Sequence, residues 1–354
     1  MPVFAPEWHA LSLGGLPYVS AEIAWDSVLR HTGAIPAWPQ LPNRSPYEGM
    51  YAQFAERFPG IDLSDGNLRV VAGPDLERDL GQLYLSYLEN ELSYGAISPE
   101  YAAGLALLQQ GRVALPEHII ALKGQVTGPI SWGLSVVDAH QQPILNDRVL
   151  GDAVSKHIRL KAVWQEQQLR RRHPQTIILV DEPYLASLGS AFVRLSPDQA
   201  SSMLEEVLAG ISGWKGIHCC GDTDWSLVLR SSVDIVSFDA YDYAPRLAAH
   251  GREVAAFLDR GGVLAWGIAP AGVASRTETV ETLVQRLDEG METLVRQGVP
   301  REAIEQAGLV SPSCSLGRLE PELAERVLQL TEGVSQVMRR RLGIEPSTGT
   351  KPNP

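Results

Sequence analysis

Short apolar runs rich in β-branched residues alternate along the chain with longer stretches whose apolar positions recur every three to four residues. The short runs predict strands at Leu11–Gly15, Leu68–Ala72, Ile119–Val126, Thr176–Asp181, Lys215–Cys219, Asp234–Phe238, Val263–Gly267 and Ala307–Val310. The longer stretches predict helices at Ala21–His31, Tyr47–Arg57, Leu76–Leu92, Pro99–Gln110, Leu145–Arg172, Pro197–Leu208, Ala244–Leu258, Thr277–Arg296 and Pro321–Arg341. Runs such as TIILV and DIVSF are apolar on both faces, as strands of a parallel sheet covered by helices must be. Ser196-Pro197 opens one helix with an N-cap hydroxyl and a proline in the first turn. Strand and helix alternate over the whole length, which implies an α/β fold. Eight strands in 354 residues favour a single (β/α)8 TIM barrel over a doubly wound sheet. No glycine-rich G-x-G-x-x-G turn follows the first strand and no Walker A loop is present. The expected organisation is one catalytic barrel over 1–342 and a flexible tail over 343–354, where GIEPSTGTKPNP has few apolar residues.

Charge and cysteine usage narrow the function. A net charge of −12 disfavours a phosphate-backbone partner, so no nucleic acid is expected. Arg170–Arg172 and Arg339–Arg341 read as solvated helix faces. No apolar run is long enough to cross a bilayer, and Met1 to Trp8 does not resemble a signal peptide, so a cytoplasmic protein without a membrane partner is expected. The three cysteines, Cys219, Cys220 and Cys314, are too few and too odd in number for a disulfide framework.

Polar residues gather where predicted strands end: Asp181-Glu182 after TIILV, His218-Cys219-Cys220 with Asp222 after the next strand, Asp239 after DIVSF, and Ser313-Cys314 after the last. In a barrel of this kind all four ends share one mouth. Positions i and i+2 of a strand point the same way, so His218 and Cys220 can share an ion while Cys219 faces away. Imidazole and thiolate suit zinc, with Cys314 and Asp239 available from other strand ends.

At these residues the chain resembles the cobalamin-independent methionine synthase family. IHCCGDTDWSLVLRSSVDIVSFDAY resembles its His-x-Cys strand followed by a strand that ends in an acidic ligand. PSCSLG is similar to its Pro-x-Cys-Gly-Leu segment, VDEPYLAS to its Asp-Glu-Pro-Ala-Leu segment, and LGGLP to its opening Ile-Gly-Ser-Phe-Pro. The likeness runs from about Leu11 to Leu342 and covers only the catalytic half of the double-barrel enzymes. The wider superfamily includes corrinoid:coenzyme M methyltransferases and the metal-free uroporphyrinogen decarboxylase, which the cysteines disfavour.

The resemblance implies a zinc-dependent methyltransferase that converts homocysteine to methionine. It implies His218, Cys220 and Cys314 as catalytic zinc ligands and Asp239 as a fourth, where the family usually has Glu and where Asp242 or Asp222 could compete. It implies Asp181 as the residue that holds the substrate ammonium, and Glu48 as a further carboxylate for it. Gly14 and Gly15 fall where backbone and a Ser receive the substrate carboxylate, Gly15 replacing that Ser. Glu182 is either a support for Asp181 or a salt-bridge partner. Ile268 stands where the family carries a His linked to methyltetrahydrofolate chemistry, and His140 is a poor stand-in for it. A corrinoid leaving group needs no proton, so the implied methyl donor is methylcobalamin or a methylated corrinoid protein. Methyltetrahydrofolate as donor, coenzyme M or another thiol as acceptor, and a non-catalytic zinc-stabilised binding barrel are the competing readings.

Overall fold

The structure, a computed structural model, describes residues 4–64, 67–190 and 193–344. From residue 345 onward the expected tail lies outside the described residues.

A small antiparallel pair, β1 (Ile61–Asp62) and β2 (Arg69–Val70), precedes a six-stranded parallel sheet. The sheet runs in chain order through β3 (Leu122–Thr127), β4 (Thr176–Asp181), β5 (Trp214–Cys219), β6 (Ile235–Phe238), β7 (Val263–Ala269) and β8 (Gly308–Pro312). Every residue of β3, β6, β7 and β8 is buried, which is why these strands lack apolar–polar alternation. Helices cover the outer face, the longest being Arg148–Arg170 and Pro321–Arg341. Trp8, Trp38, Trp132, Trp225 and Trp266 fill the space between the layers and are fully buried.

The two edges of the curled sheet are not bare. Ala10 bridges Val310 of β8, Leu11 bridges Ile35, Gly15 bridges Gln40, and Ala37 bridges Lys123 of β3, all in parallel sense. Backbone bonds back these bridges, among them Leu11 to the Val310 carbonyl at 2.9 Å and Lys123 to the Pro36 carbonyl at 2.9 Å. The stretch Ile35–Gln40 thus occupies the sheet-edge position for which the sequence predicts Leu68–Ala72. Its two prolines, Pro36 and Pro39, donate no hydrogen bond, so it pairs by isolated bridges and does not read as a strand. Arg69–Val70 pairs antiparallel with Ile61–Asp62 outside the main sheet.

Among the helices, the predicted Tyr47–Arg57 helix is two 3-10 turns, Pro46–Glu48 and Ala52–Phe54. The chain turns extended at Gly49, and the Glu48 carboxylate folds inward instead of lying on a helix face. The Ala244–Leu258 pattern resolves into Ala240–Ala248 and Gly251–Asp259. An unpredicted short helix, Pro129–Ser135, follows β3. The arginine runs are less free than expected: Arg172 donates to the carbonyls of Leu108 and Val113, and Arg339 is buried and donates to the Glu7 carbonyl at 2.7 Å.

His31 ties the first helix, Ala21–Thr32, to Pro321–Arg341. Its Nδ1 lies 2.8 Å from Glu332 and its Nε2 2.9 Å from Glu325. Burial disfavours the imidazolium, but the hydrogen bonds and charges of the two carboxylates outweigh it and raise the His31 pKa. Stabilisation of this sign is complete below the unfolded pKa of about 6.5 and fades as pH rises through the higher folded value. His31→Leu should therefore cost about 1–2 kcal/mol near pH 5.5, after allowance for the partly exposed carboxylates, and much less at pH 9. Urea titrations at the two pH values check this; an equal cost at both would mean the contact is not ionic.

Candidate metal and thiol site

Parallel register brings the chemistry level. Asp181 at the end of β4 pairs with His218 on β5, and His218 pairs with Ser237 on β6. The loop after β8 is pinned on two sides. Ser313 donates its backbone N–H to the Ala269 carbonyl and accepts from Ala271 through Oγ, while Leu316 donates to the Gly15 carbonyl. Cys314 is thereby held over the end of β5.

One ligand atom each from His218, Cys220 and Cys314 lie within 4.8 Å of one another. His218 is buried; both cysteines are half-buried and line the same cavity. The His218 Nδ1 sits 2.9 Å from Ser237 Oγ, whereas its buried Nε2 has no hydrogen-bond partner. Cys220 beside it holds the Cys314 thiol below the ordinary thiol range, and the Cys220 thiol is pushed up in turn. Two converging sulfurs and an unpartnered imidazole nitrogen are a donor set that fits a thiophilic dication such as zinc. Cys219 is fully buried on the other face, its thiol directed at the Gly221 carbonyl and pushed by burial up to about 12.

Asp239 N-caps the helix Ala240–Ala248 by accepting from the Asp242 N–H at 3.0 Å. Burial pushes its pKa up to about 7. It stands at the adjoining strand end but outside the close trio. Of its competitors, Asp222 pairs with Arg246 at 3.3 Å and Asp242 is exposed.

The trio opens into a cavity of about 570 Å³ that Gly15, Glu48 and Asp181 also line. Asp181 Oδ1 is buried without a partner; burial pushes this carboxyl up to about 6, against the pull of His218 and Lys123. Lys123 is itself wholly buried and donates to Gln125 Oε1 at 3.0 Å. Glu48 accepts from the N–H groups of Leu41 and Ala103 and from Arg44 at 2.6 Å, so most of its lone pairs are engaged. Gly14 does not line the cavity. Its φ of 104° and a Cβ position 2.4 Å from Gln125 Cδ restrict the site to glycine. At Gly15 a Cβ would lie 2.1 Å from Ser315 Oγ, so the hydroxyl of Ser315 fills the space a side chain at 15 would need.

Glu182 is neither in the cavity nor in a salt bridge among the described residues. It accepts from Ile130 N, Ser131 N and Ser131 Oγ at 2.6–2.9 Å, so it satisfies the start of the Pro129–Ser135 helix. Burial pushes its pKa up to about 7. Ile268 is buried in β7, and His140 is exposed on a turn capped by Asp138. Sequence reasoning missed the apolar wall, made by Tyr47, Met50, Tyr51, Leu63 and Leu68, together with Ser237 and Ser315. No motif marks the wall, because its residues come from the short 3-10 turns with their connection and from the flanks of the small antiparallel pair.

No protein-family model matches the chain, and no curated protein matches it. Solved structures do. A B12-independent methionine synthase from Shewanella sp. W3-18-1, in complex with selenomethionine, superposes with a TM-score of 0.61 at 15% identity, covering 96% of this chain and 99% of that one. A methyltransferase from Methanosarcina mazei superposes with a TM-score of 0.57 at 11% identity, covering 97% and 95%. This chain has their fold. Among the described residues no helix is long and apolar enough to cross a membrane.

Proposed function

We propose that this chain is a zinc-dependent methyltransferase that transfers a methyl group to the thiol of homocysteine, forming methionine. The observation that carries this reading is the meeting of His218, Cys220 and Cys314 in a cavity that Asp181 also lines. The methionine synthase and methyltransferase neighbours support it through fold. The scaffold we propose is a (β/α)8 barrel in which 10–15 and 35–40 take the places of the first two strands, in keeping with their bridges to β8 and β3.

In this reading His218, Cys220 and Cys314 hold zinc, with Asp239 at the adjoining strand end as the carboxylate for a fourth position. Zinc bound there would lower the pKa of a substrate thiol so that it reacts as thiolate at neutral pH. The chain's own residues do the rest. Asp181 accepts hydrogen bonds from the substrate ammonium, and Glu48, already engaged by backbone N–H groups and Arg44, lines the same cavity. The Gly15 backbone and the Ser315 hydroxyl meet the carboxylate, while Gly14 holds the turn that presents them. The apolar wall keeps water from the thiolate and confines the donor's methyl group in line with sulfur; such alignment is worth ~7–11 kcal/mol of barrier at most.

Ile268 has no proton to give, and a folate nitrogen needs one on departure whereas a cobalt(I) corrinoid does not. We therefore take methylcobalamin, free or on a corrinoid protein, as the donor. The test offers zinc-loaded protein and homocysteine either methylcobalamin or methyltetrahydrofolate and follows methionine and the cobalamin spectrum. Turnover with methylcobalamin should exceed that with the folate by at least the ~10²–10⁴ that a general acid contributes. Methionine formed from folate alone would reverse the choice of donor, and none from either would overturn the homocysteine reading.

A further inference from the structure

Along β6 the positions Ile235, Ser237 and Asp239 share one face, because side chains alternate. Val236 and Phe238 point the other way, into the apolar layer under the helices. Ser237 is therefore the one polar side chain that β6 itself, Ile235–Phe238, contributes. It is fully buried, in register with His218 of β5, and its Oγ lies 2.9 Å from His218 Nδ1. A buried hydroxyl without a partner costs on the order of 1–3 kcal/mol, so its place opposite an imidazole nitrogen is a constraint and not filler. The other ring nitrogen, Nε2, is buried with no hydrogen-bond partner among the described residues. Backbone geometry adds to the constraint: the His218 carbonyl accepts from Glu182 N at 2.8 Å, which fixes the strand end from the opposite side.

We propose that Ser237 is the positioning residue of the metal site: its hydroxyl accepts from His218 Nδ1–H, fixes that tautomer, and leaves the Nε2 lone pair as the metal-directed donor. The inference rests on the zinc reading of the trio. A ring free to rotate, or tautomerised to Nε2–H, would present a proton where a metal needs an electron pair. Ser237 touches neither substrate nor metal; it acts through His218 alone. Threonine keeps the same oxygen, whereas alanine removes it and leaves the buried Nδ1–H without its partner.

Two readouts test this. The first is the tautomer of His218 in the zinc-free, full-length wild-type protein, read by long-range nitrogen–proton correlation NMR and assigned by the signal lost in His218→Asn. Nδ1–H is expected; Nε2–H overturns the proposal without any variant of Ser237. The second is zinc affinity, by competition with a chromophoric chelator, for wild type, Ser237→Thr and Ser237→Ala. Loss of such a supporting hydrogen bond typically weakens metal binding about 10–100-fold, so alanine should show that loss and threonine should restore most of it. Alanine with wild-type affinity overturns the proposal and leaves the zinc reading intact. Wild-type protein that takes up no zinc overturns the zinc reading itself, and the metal role of Ser237 with it.

Discussion

Cys220→Ser and Cys314→Ser should each lose zinc and methyl transfer together, while Cys219→Ser keeps both. A hydroxyl is a poor ligand for zinc at neutral pH, because it would have to ionise where a thiol does so readily. The loss in affinity should exceed the ~10–100-fold expected for a supporting hydrogen bond, because a bond to the metal itself is removed. The contrast with Cys219 is what makes the experiment decisive. Cys219 is adjacent in sequence and the more buried of the neighbours, yet its sulfur points at the Gly221 carbonyl on the far face. Serine there changes packing by one atom and should move stability slightly, not metal content. Elemental analysis of the purified variants, with activity measured in parallel, gives the answer. Full zinc retention in Cys220→Ser, or zinc lost from Cys219→Ser alone, would remove the site as drawn.

Asp181→Asn should raise the KM for homocysteine with zinc content unchanged. Asp181 lines the cavity, and its buried Oδ1 has no hydrogen-bond partner among the described residues, so a ligand cation would complete this carboxylate. An asparagine keeps the shape but loses the charge. Losing a charge-assisted hydrogen bond to the ammonium costs roughly 1.5–3 kcal/mol, or about 10–150-fold in binding. The comparison that isolates this effect is 4-mercaptobutyrate, which has the thiol and carboxylate of homocysteine but no amino group. Wild type should handle it poorly, and Asp181→Asn should handle it no worse than wild type does. An unchanged KM for homocysteine would mean that Asp181 serves the buried interior of the sheet through Lys123 instead of the ligand.

What the sequence alone determined is the local part of this description. Short β-branched and doubly apolar runs located β4 to β8 to within a few residues, because burial on both faces demands apolar side chains whatever the surroundings. Parity along β5 separated Cys220 from Cys219, since alternation is a property of the extended backbone. Family likeness pointed to Asp181, His218 and Cys314 as residues of one site, and the structure brings all three to one cavity. Tertiary structure decided the rest. The segment Ile35–Gln40, with Pro36 and Pro39, takes an edge position that only its neighbours on both sides could reveal. Glu182, adjacent to Asp181, turns away to cap a helix 51 residues earlier in the chain, a choice invisible to local pattern. The Gly15 side-chain space is filled from Ser315, and His218 Nδ1 meets the Ser237 hydroxyl of the next strand. These are contacts between residues distant in sequence, and their energy depends on shape and hydrogen-bond geometry that exist only once the sheet has curled and its loops have met.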